Sequence, residues 1–238
     1  MAHTTANWYF WKGVRDGAPF ILVAAPFGML FGVLATEAGF ALLETMTFSV
    51  SVFAGAAQFT ALQLMHEAAP TIIVLISALA VNLRVAMYSA SLTPWLGAAP
   101  LWQRACAAYL VVDQSYALSI IRFETDPDMT VPQRMAYFFG TNGLVAPAWY
   151  LATLFGAVMG SQIPESWALD FVMPVAFLAM IAPMLRTLPH LIAALTASIV
   201  ALAAAGMVFN LGLIVAGFCG MVAGAQAEVM MNRRKARI

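Results

Sequence analysis

Residues 70–94 read Pro70-Thr-Ile-Ile-Val-Leu-Ile-Ser-Ala-Leu-Ala-Val-Asn82-Leu-Arg84-Val-Ala-Met-Tyr88-Ser-Ala-Ser91-Leu-Thr-Pro94. The run is long enough to cross a bilayer, yet it carries an amide and a guanidinium near its centre. A charged side chain at that depth costs roughly 2.5–3.5 kcal/mol even on the lenient insertion scale, so it normally faces protein or a water-filled cavity and has a partner. Composition agrees with a membrane location: 63% of the 238 residues are apolar and 9% are charged. Soluble domains run nearer 45–50% apolar and about 25% charged. The net charge is zero, without the basic footprint of a nucleic-acid binder.

Moving outward, apolar runs of span length fall at roughly 18–39, 41–65, 70–97, 105–122, 136–161, 167–186, 188–205 and 207–228. The expectation is an all-α, polytopic transmembrane bundle of about eight spans, or seven if one weak run is lost. With the N-terminus cytoplasmic, Lys12, Arg15, Arg122, Arg134, Arg186, Arg233, Arg234, Lys235 and Arg237 all lie inside. Only Arg104 then lies outside, as the positive-inside rule demands. Trp8, Trp11, Lys12 and Arg15 read as an interfacial anchor rather than a cleavable leader. The chain reads as one transmembrane domain, 1–238, and the mixed-charge loop between Arg122 and Arg134 divides it into halves of roughly 13–122 and 134–238. Spans one and five share a plan of Pro and Gly within the run, which leaves an internal repeat open without fixing its symmetry.

Small residues recur at helical spacing: Gly28/Gly32, Gly156/Gly160, Ala193/Ala197/Ala201/Ala205 and Gly212/Ala216/Gly220/Gly224. Such faces let backbones approach closely. Packing within the chain is favoured over packing against a partner protein. Cys106 and Cys219 sit in apolar runs as small hydrophobes.

Asn82 and Arg84 point about 200° apart on a regular helix. Arg84 shares a face with Tyr88 and Ser91, while Asn82 shares another with Ser89 and Thr93. Two polar stripes on one long run predict either a span surrounded by protein or a helix broken near residues 81–84. Transporters build substrate sites at such breaks. Arg84 then either holds a substrate carboxylate in its planar fork or is neutralised by an intramembrane acid, for which Asp113 is the candidate. Asp113 itself, with Tyr109 and Tyr116 on its face, suits a coupling proton, an ammonium group or a counter-ion role. Gln58 lies in a small-residue patch where Gly55 leaves room for a ligand beside the amide. Asn142 and Asp170 are weaker candidates, Asp170 being near a helix end. The three histidines have no metal-site spacing, and no nucleophile–His pair or phosphate-binding glycine loop is present. The expectation is therefore a non-enzyme with no metal and no cofactor.

Together Gly55-Ala-Ala-Gln58-Phe, Val81-Asn82-Leu-Arg84-Val-Ala-Met-Tyr88-Ser-Ala-Ser91-Leu, Asp113-Gln-Ser-Tyr-Ala and Leu169-Asp170-Phe-Val-Met-Pro174 resemble the AzlC family. These are the large subunits of bacterial branched-chain amino acid exporters, named for azaleucine resistance. The resemblance runs from about Gly13 to Glu228. It implies export of valine, leucine, isoleucine or methionine across the inner membrane together with a small AzlD-type subunit. It departs from the family at Gln114, where a glutamate is expected. On this reading Arg84 engages the substrate carboxylate, Asn82, Gln58, Tyr88 and Ser91 line the cavity, and Asp113 takes the ammonium group or a proton. The contrasting reading is a non-transporting membrane subunit that stabilises or places a partner, with Arg84 and Asp113 as a structural pair.

Overall fold

The computed structural model describes residues 5–160, 185–206 and 211–235, and every regular element among them is helical. They fall into two compact units, the described parts of 1–62 with 78–164 and of 63–77 with 165–238.

In the first unit, α1 (Ala6–Gly17) passes through a 3-10 turn at Ala18–Phe20 into α2 (Ile21–Glu37). Thr5 caps α1 by accepting from the Trp8 amide, and Pro19, with no N–H to offer, sits at the start of the tight turn. Thus the aromatic segment expected to lie before the first span is helical and continuous with it. Next come α3 (Leu42–Ser51) and α4 (Gly55–His66), separated by a non-helical Val52–Ala54, and then α5 (Thr71–Leu96). A second interruption at Val111–Val112 parts α6 (Leu101–Leu110) from α7 (Asp113–Thr125). Finally α8 (Val131–Asn142) and α9 (Val145–Gly160) follow one another closely. In the second unit α10 (Leu188–Ala203) packs against α11 (Leu211–Lys235).

Among the described residues three helical segments, Ala6–Glu37, Thr71–Leu96 and Val131–Gly160, are long and apolar enough to cross a membrane. The expected second and fourth spans are each divided into halves of 10–13 residues, α10 has 16 residues, and the expected sixth run lies mostly outside the described residues.

α5 corrects one expectation. It is unbroken through residues 81–84, about 39 Å long at 1.5 Å per residue. The two polar residues that suggested a break are about 160° apart the short way round. Val81, Val85, Tyr88, Leu92 and Leu96 fill the arc between them, and all are partly or fully buried. Asn82 and Arg84 are therefore the two edges of one wide protein-facing surface. Leu79, Leu83 and Met87 on the remaining arc are more than 60% exposed, as a lipid-facing stripe would be.

The tightest packing joins the helical segments Ala6–Glu37 and Val131–Gly160. A β-carbon at Gly13 would overlap the Tyr137 carbonyl oxygen, and one at Gly140 would overlap that of Phe10. At the other end Gly32 meets the Thr153 carbonyl, and Gly156 that of Met29. Each glycine thus abuts the carbonyl three residues before the opposing glycine, so the two spans run parallel in reciprocal contact. The ladders in the second unit also face one another, with Gly220 and Gly224 against Ala193 and Ala197. The structure thus places these small-residue faces against one another within the chain.

Buried around Phe123, Phe138, Leu92, Leu96 and Val111 is an apolar core holding α5, α6, α7 and α8 together. Polar contacts brace its margin. Tyr137 donates to Asp16 at 2.8 Å, Tyr9 donates to Asp126 at 2.6 Å, and the Arg134 guanidinium lies 5.0 Å from the Trp95 ring.

Overpacking a tight contact costs about 1–3 kcal/mol. Gly32→Ala and Gly156→Ala should therefore each lower the thermal midpoint of the purified protein clearly. Gly217→Ala, where an added β-carbon meets nothing within 4 Å, should leave it unchanged or slightly raised, which size-exclusion after a heating series would resolve.

Candidate functional site

The interruption between α6 and α7 begins with two adjacent β-branched residues, Val111 and Val112, both in extended conformation. Such residues lose side-chain freedom in helices and favour extended backbone. Ser115 then restarts the helix, accepting from the Val112 amide at 3.0 Å and donating to the Val112 carbonyl at 3.1 Å. Asp113 becomes the first residue of α7, where a carboxylate is favoured by the exposed amides of a helix N-terminus.

Onto that carboxylate converges the stripe predicted on α5. Arg84 Nη1 lies 3.0 Å from Asp113 Oδ2, and the Tyr88 hydroxyl donates to Asp113 Oδ1 at 2.8 Å. The Tyr88 ring stacks on Tyr116 with centroids 4.3 Å apart, and the Tyr116 hydroxyl is 3.0 Å from Ser91 Oγ. Residues i, i+4 and i+7 of α5 thereby meet i and i+3 of α7. The pair is not sealed, since the Arg84 and Asp113 side chains are 27% and 40% exposed. One edge of the guanidinium is committed, whereas its buried Nε–H has no acceptor.

Tyr109 corrects the helical arithmetic. Counting i−4 puts it on the face of Asp113, but the interruption between them resets the helical phase. Its hydroxyl instead donates to the Val50 carbonyl and lies 2.7 Å from the Tyr150 hydroxyl.

Gly55 and Gln58 belong to a second cluster, at the interruption between α3 and α4. The end of α3 leaves carbonyls without intrahelical donors. Gln58 supplies one from its side-chain nitrogen to Val52 and, at 3.3 Å, another to Ser49, while Tyr109 serves Val50. Gln58 is completely buried, so in this conformation it holds the break together rather than facing open space. The Trp149 ring occupies the room left by Gly55, 3.0 Å from where a β-carbon would stand. Trp149 Nε1 donates to Ser49 Oγ at 3.1 Å, and Ser49 Oγ lies 3.4 Å from Thr153 Oγ1. Phe53, within the break, packs against both Tyr109 and Tyr150. The two interruptions therefore touch through Tyr109.

The expected site residues thus divide. Arg84, Tyr88, Ser91 and Asp113 form one constellation, joined by Tyr116, and Gly55 and Gln58 belong to the other. Asn82 lies on the opposite edge of the buried face of α5, with its Oδ1 unpartnered. Asn142 ends α8, buried, its side-chain nitrogen 3.4 Å from the Phe138 carbonyl; it joins neither cluster. Asp170 lies outside the described residues. The contacts of Ser49, Trp149, Thr153 and Tyr150 went unread in the sequence. The available signal was Trp149 itself, since an indole N–H inside an apolar span needs an acceptor. Among the described residues no group of three or more His, Cys, Asp or Glu side chains is placed to hold a metal.

A family model described as AzlC protein matches residues 19–163, a shorter extent than the motif resemblance spans. The chain is 24% identical over 181 residues to an Escherichia coli K12 protein called "Inner membrane protein YgaZ", covering 71% of each chain. It is 29% identical over 202 residues to an "Uncharacterized membrane protein" of Archaeoglobus fulgidus, covering 82% of this chain and 84% of the relative. A Helicobacter pylori 26695 protein of the same description is 26% identical over 176 residues, covering 72% and 75%. No solved structure matches the chain.

Partly open ion pairs fall between surface pairs, worth under about 1 kcal/mol, and buried ones, where loss of one partner costs about 3–5 kcal/mol. Asp113→Asn and Arg84→Leu should each reduce folded yield. The swap of Arg84→Asp with Asp113→Arg should recover much of that yield, as monodisperse protein on size exclusion.

Proposed function

The chain belongs to the AzlC family, and on that premise we propose that it exports branched-chain amino acids. The substrates are valine, leucine, isoleucine and, in this reading, methionine. It works as a multi-pass subunit of about eight spans with a cytoplasmic N-terminus, in a bacterial inner membrane, beside a small AzlD-type subunit. The partly exposed pair of Arg84 and Asp113, with one guanidinium edge committed and the buried Nε–H still without an acceptor, supports this reading best.

A branched-chain amino acid at neutral pH is a zwitterion with an aliphatic tail. Its carboxylate matches the Arg84 guanidinium, which presents several donors in a plane and binds carboxylates side-on. Its ammonium group matches Asp113, which Tyr88 and the start of α7 hold in place. An arriving zwitterion would exchange one ion pair for two, so the charged ends contribute binding without leaving a charge unpaired. Selection among the aliphatic tails would be shallow, since one methylene is worth only about 1–3 kcal/mol in an apolar pocket. Asn82, Gln58, Gly55, Ser91, Asn142 and Asp170 have no assigned contact with substrate in this reading. No bond is made or broken, so the reading assigns no enzymatic step and no cofactor.

The closed geometry favours one competing reading. A pair already braced by Tyr88 is what a purely structural ion pair would show, and the chain would then be a non-transporting subunit that stabilises a partner. Arg84→Lys separates the two. It keeps a positive charge opposite Asp113 but loses the fork. If the fork binds carboxylate, efflux of labelled leucine should fall about tenfold or more with folded yield retained, consistent with 1.5–3 kcal/mol for a charged hydrogen bond. Cells expressing the chain with and without the small subunit provide the assay. Undiminished efflux in a folded Arg84→Lys protein would remove this role from the arginine.

A further inference from the structure

The direction of each helix in the first unit follows from its contacts. Tyr9, Asp16 and the start of α8 mark one face of the membrane, and α1–α2 and α8–α9 both lead away from it. α5 runs the opposite way. Its Arg84 and Tyr88 meet Asp113, Ser91 meets Tyr116, and Trp95 reaches Phe123 and Arg134 at that near face. Leu92 and Leu96 are buried there with Tyr9 and Tyr137.

Just past that end α6 starts at Leu101 and climbs to Tyr109, whose hydroxyl meets the Val50 carbonyl and the Tyr150 hydroxyl. Tyr150 is thirteen residues beyond Tyr137 along one helical segment, roughly 20 Å deeper at 1.5 Å per residue. At Val111–Val112 the chain turns round. Asp113 then lies beside Arg84, Phe123 beside Tyr137, and Asp126 accepts from Tyr9, back at the near face. α3–α4 turns likewise from the far side, where α2 ends. Phe48 and Phe59 both pack on Phe31, with centroids at 5.6 and 5.9 Å, whereas eleven residues of continuing helix would separate them by about 16 Å. Gln58 reaches back to the carbonyls of Ser49 and Val52 in the same way. An α5 that heads for the near face must also set out from the far one.

We propose that α3–α4 and α6–α7 are re-entrant hairpins entering from opposite faces and meeting tip to tip, with Tyr109 as the latch between them. Charge agrees. Among residues 5–160 every Lys and Arg except Arg84 then lies at the near face: Lys12, Arg15, Arg104, Arg122 and Arg134. Arg104, which crossing helices would leave outside, joins the others as the positive-inside rule asks. Of the proposed eight membrane segments, two then enter and leave by one face, and only α5 reverses its direction. Half-helices of 10–13 residues, too short to cross singly, suit such hairpins. Asp113 stands at the tip rooted in one face, and Tyr109 of that tip holds Val50 of the tip rooted in the other. Release of Tyr109 would let each hairpin move with its own face.

Labelling of intact cells with a membrane-impermeant maleimide tests the topology without substrate or gradient. The chain carries Cys106→Ser and Cys219→Ser, since both native thiols are free, and one new cysteine at Asn7, Ala41, Ala69 or Ala98. Ala69→Cys should label from the same face as Ala41→Cys, and Ala98→Cys from the same face as Asn7→Cys. Helices that cross would instead pair Ala69 with Asn7 and Ala98 with Ala41, and either pairing overturns the hairpins. Where a variant does not accumulate, Pro70→Cys or Pro100→Cys replaces it within the same link. For the latch, Phe53→Cys and Tyr109→Cys, whose native rings lie 6.1 Å apart, would be bridged by a short reducible thiol reagent. Bridging should cut leucine efflux severalfold, and reduction should restore it. Efflux indifferent to bridging, or no bridge at all, removes the latch. Should that variant be silent before bridging, Phe53→Cys with Tyr150→Cys pins the same tip and keeps Tyr109. The latch rests on the export reading and the labelling pattern does not, so their failures are distinguishable.

Discussion

Backbone that leaves the helix in an apolar setting must find hydrogen-bond partners elsewhere, and much of the described architecture around the two interruptions follows from that constraint. At the end of α3, the carbonyls of Ser49, Val50 and Val52 are served by Gln58 and Tyr109. At the start of α7, Ser115 serves both the amide and the carbonyl of Val112. These partners come from the half-helix beyond each break, and in Tyr109 from the neighbouring interrupted pair α6–α7. A break is thus possible only where another part of the chain is brought to it.

The same interruption places the central charge pair. Had α6 continued into α7, Asp113 would be mid-helix, with its backbone amide committed to the helical ladder. Interrupted at two valines, the chain presents Asp113 as the first residue of a new helix, facing the Arg84–Tyr88–Ser91 stripe of an unbroken α5. One unbroken helix and one interrupted helix pair therefore share the work. The first sets the spacing of arginine, tyrosine and serine, and the second delivers the carboxylate to them. The glycine-lined contact of the helical segments Ala6–Glu37 and Val131–Gly160 holds the adjoining frame, with backbones close enough that no side chain fits between them.

Much of this was legible in residue spacing. The stripe of Arg84, Tyr88 and Ser91 follows from helical period alone, as does the partnership of Asp113 with Tyr116. The small-residue ladders announced close helix contacts, and the motifs around Gln58, Arg84 and Asp113 announced the family. Where the reading went astray, the cause was phase. Asn82 and Arg84 suggested a broken α5 because two residues seemed to need opposite environments, whereas one wide buried face accommodates both. Tyr109 was placed on the face of Asp113 because the count ran through residues that are not helical. Gln58 was read as lining open space, although its amide is taken up by carbonyls that only the break exposes.

What the sequence determined by itself was thus the kind of protein and the identity of its polar residues, because hydrophobicity, charge cost and helical period are local properties. It also determined that an arginine in an apolar run needs a partner. Only the tertiary structure decided which spans break, which carbonyls are left bare and which distant side chains reach them. Those outcomes depend on contacts between residues far apart in the chain, such as Tyr109 with Val50 and Trp149 with Ser49. No periodicity within a single span encodes them.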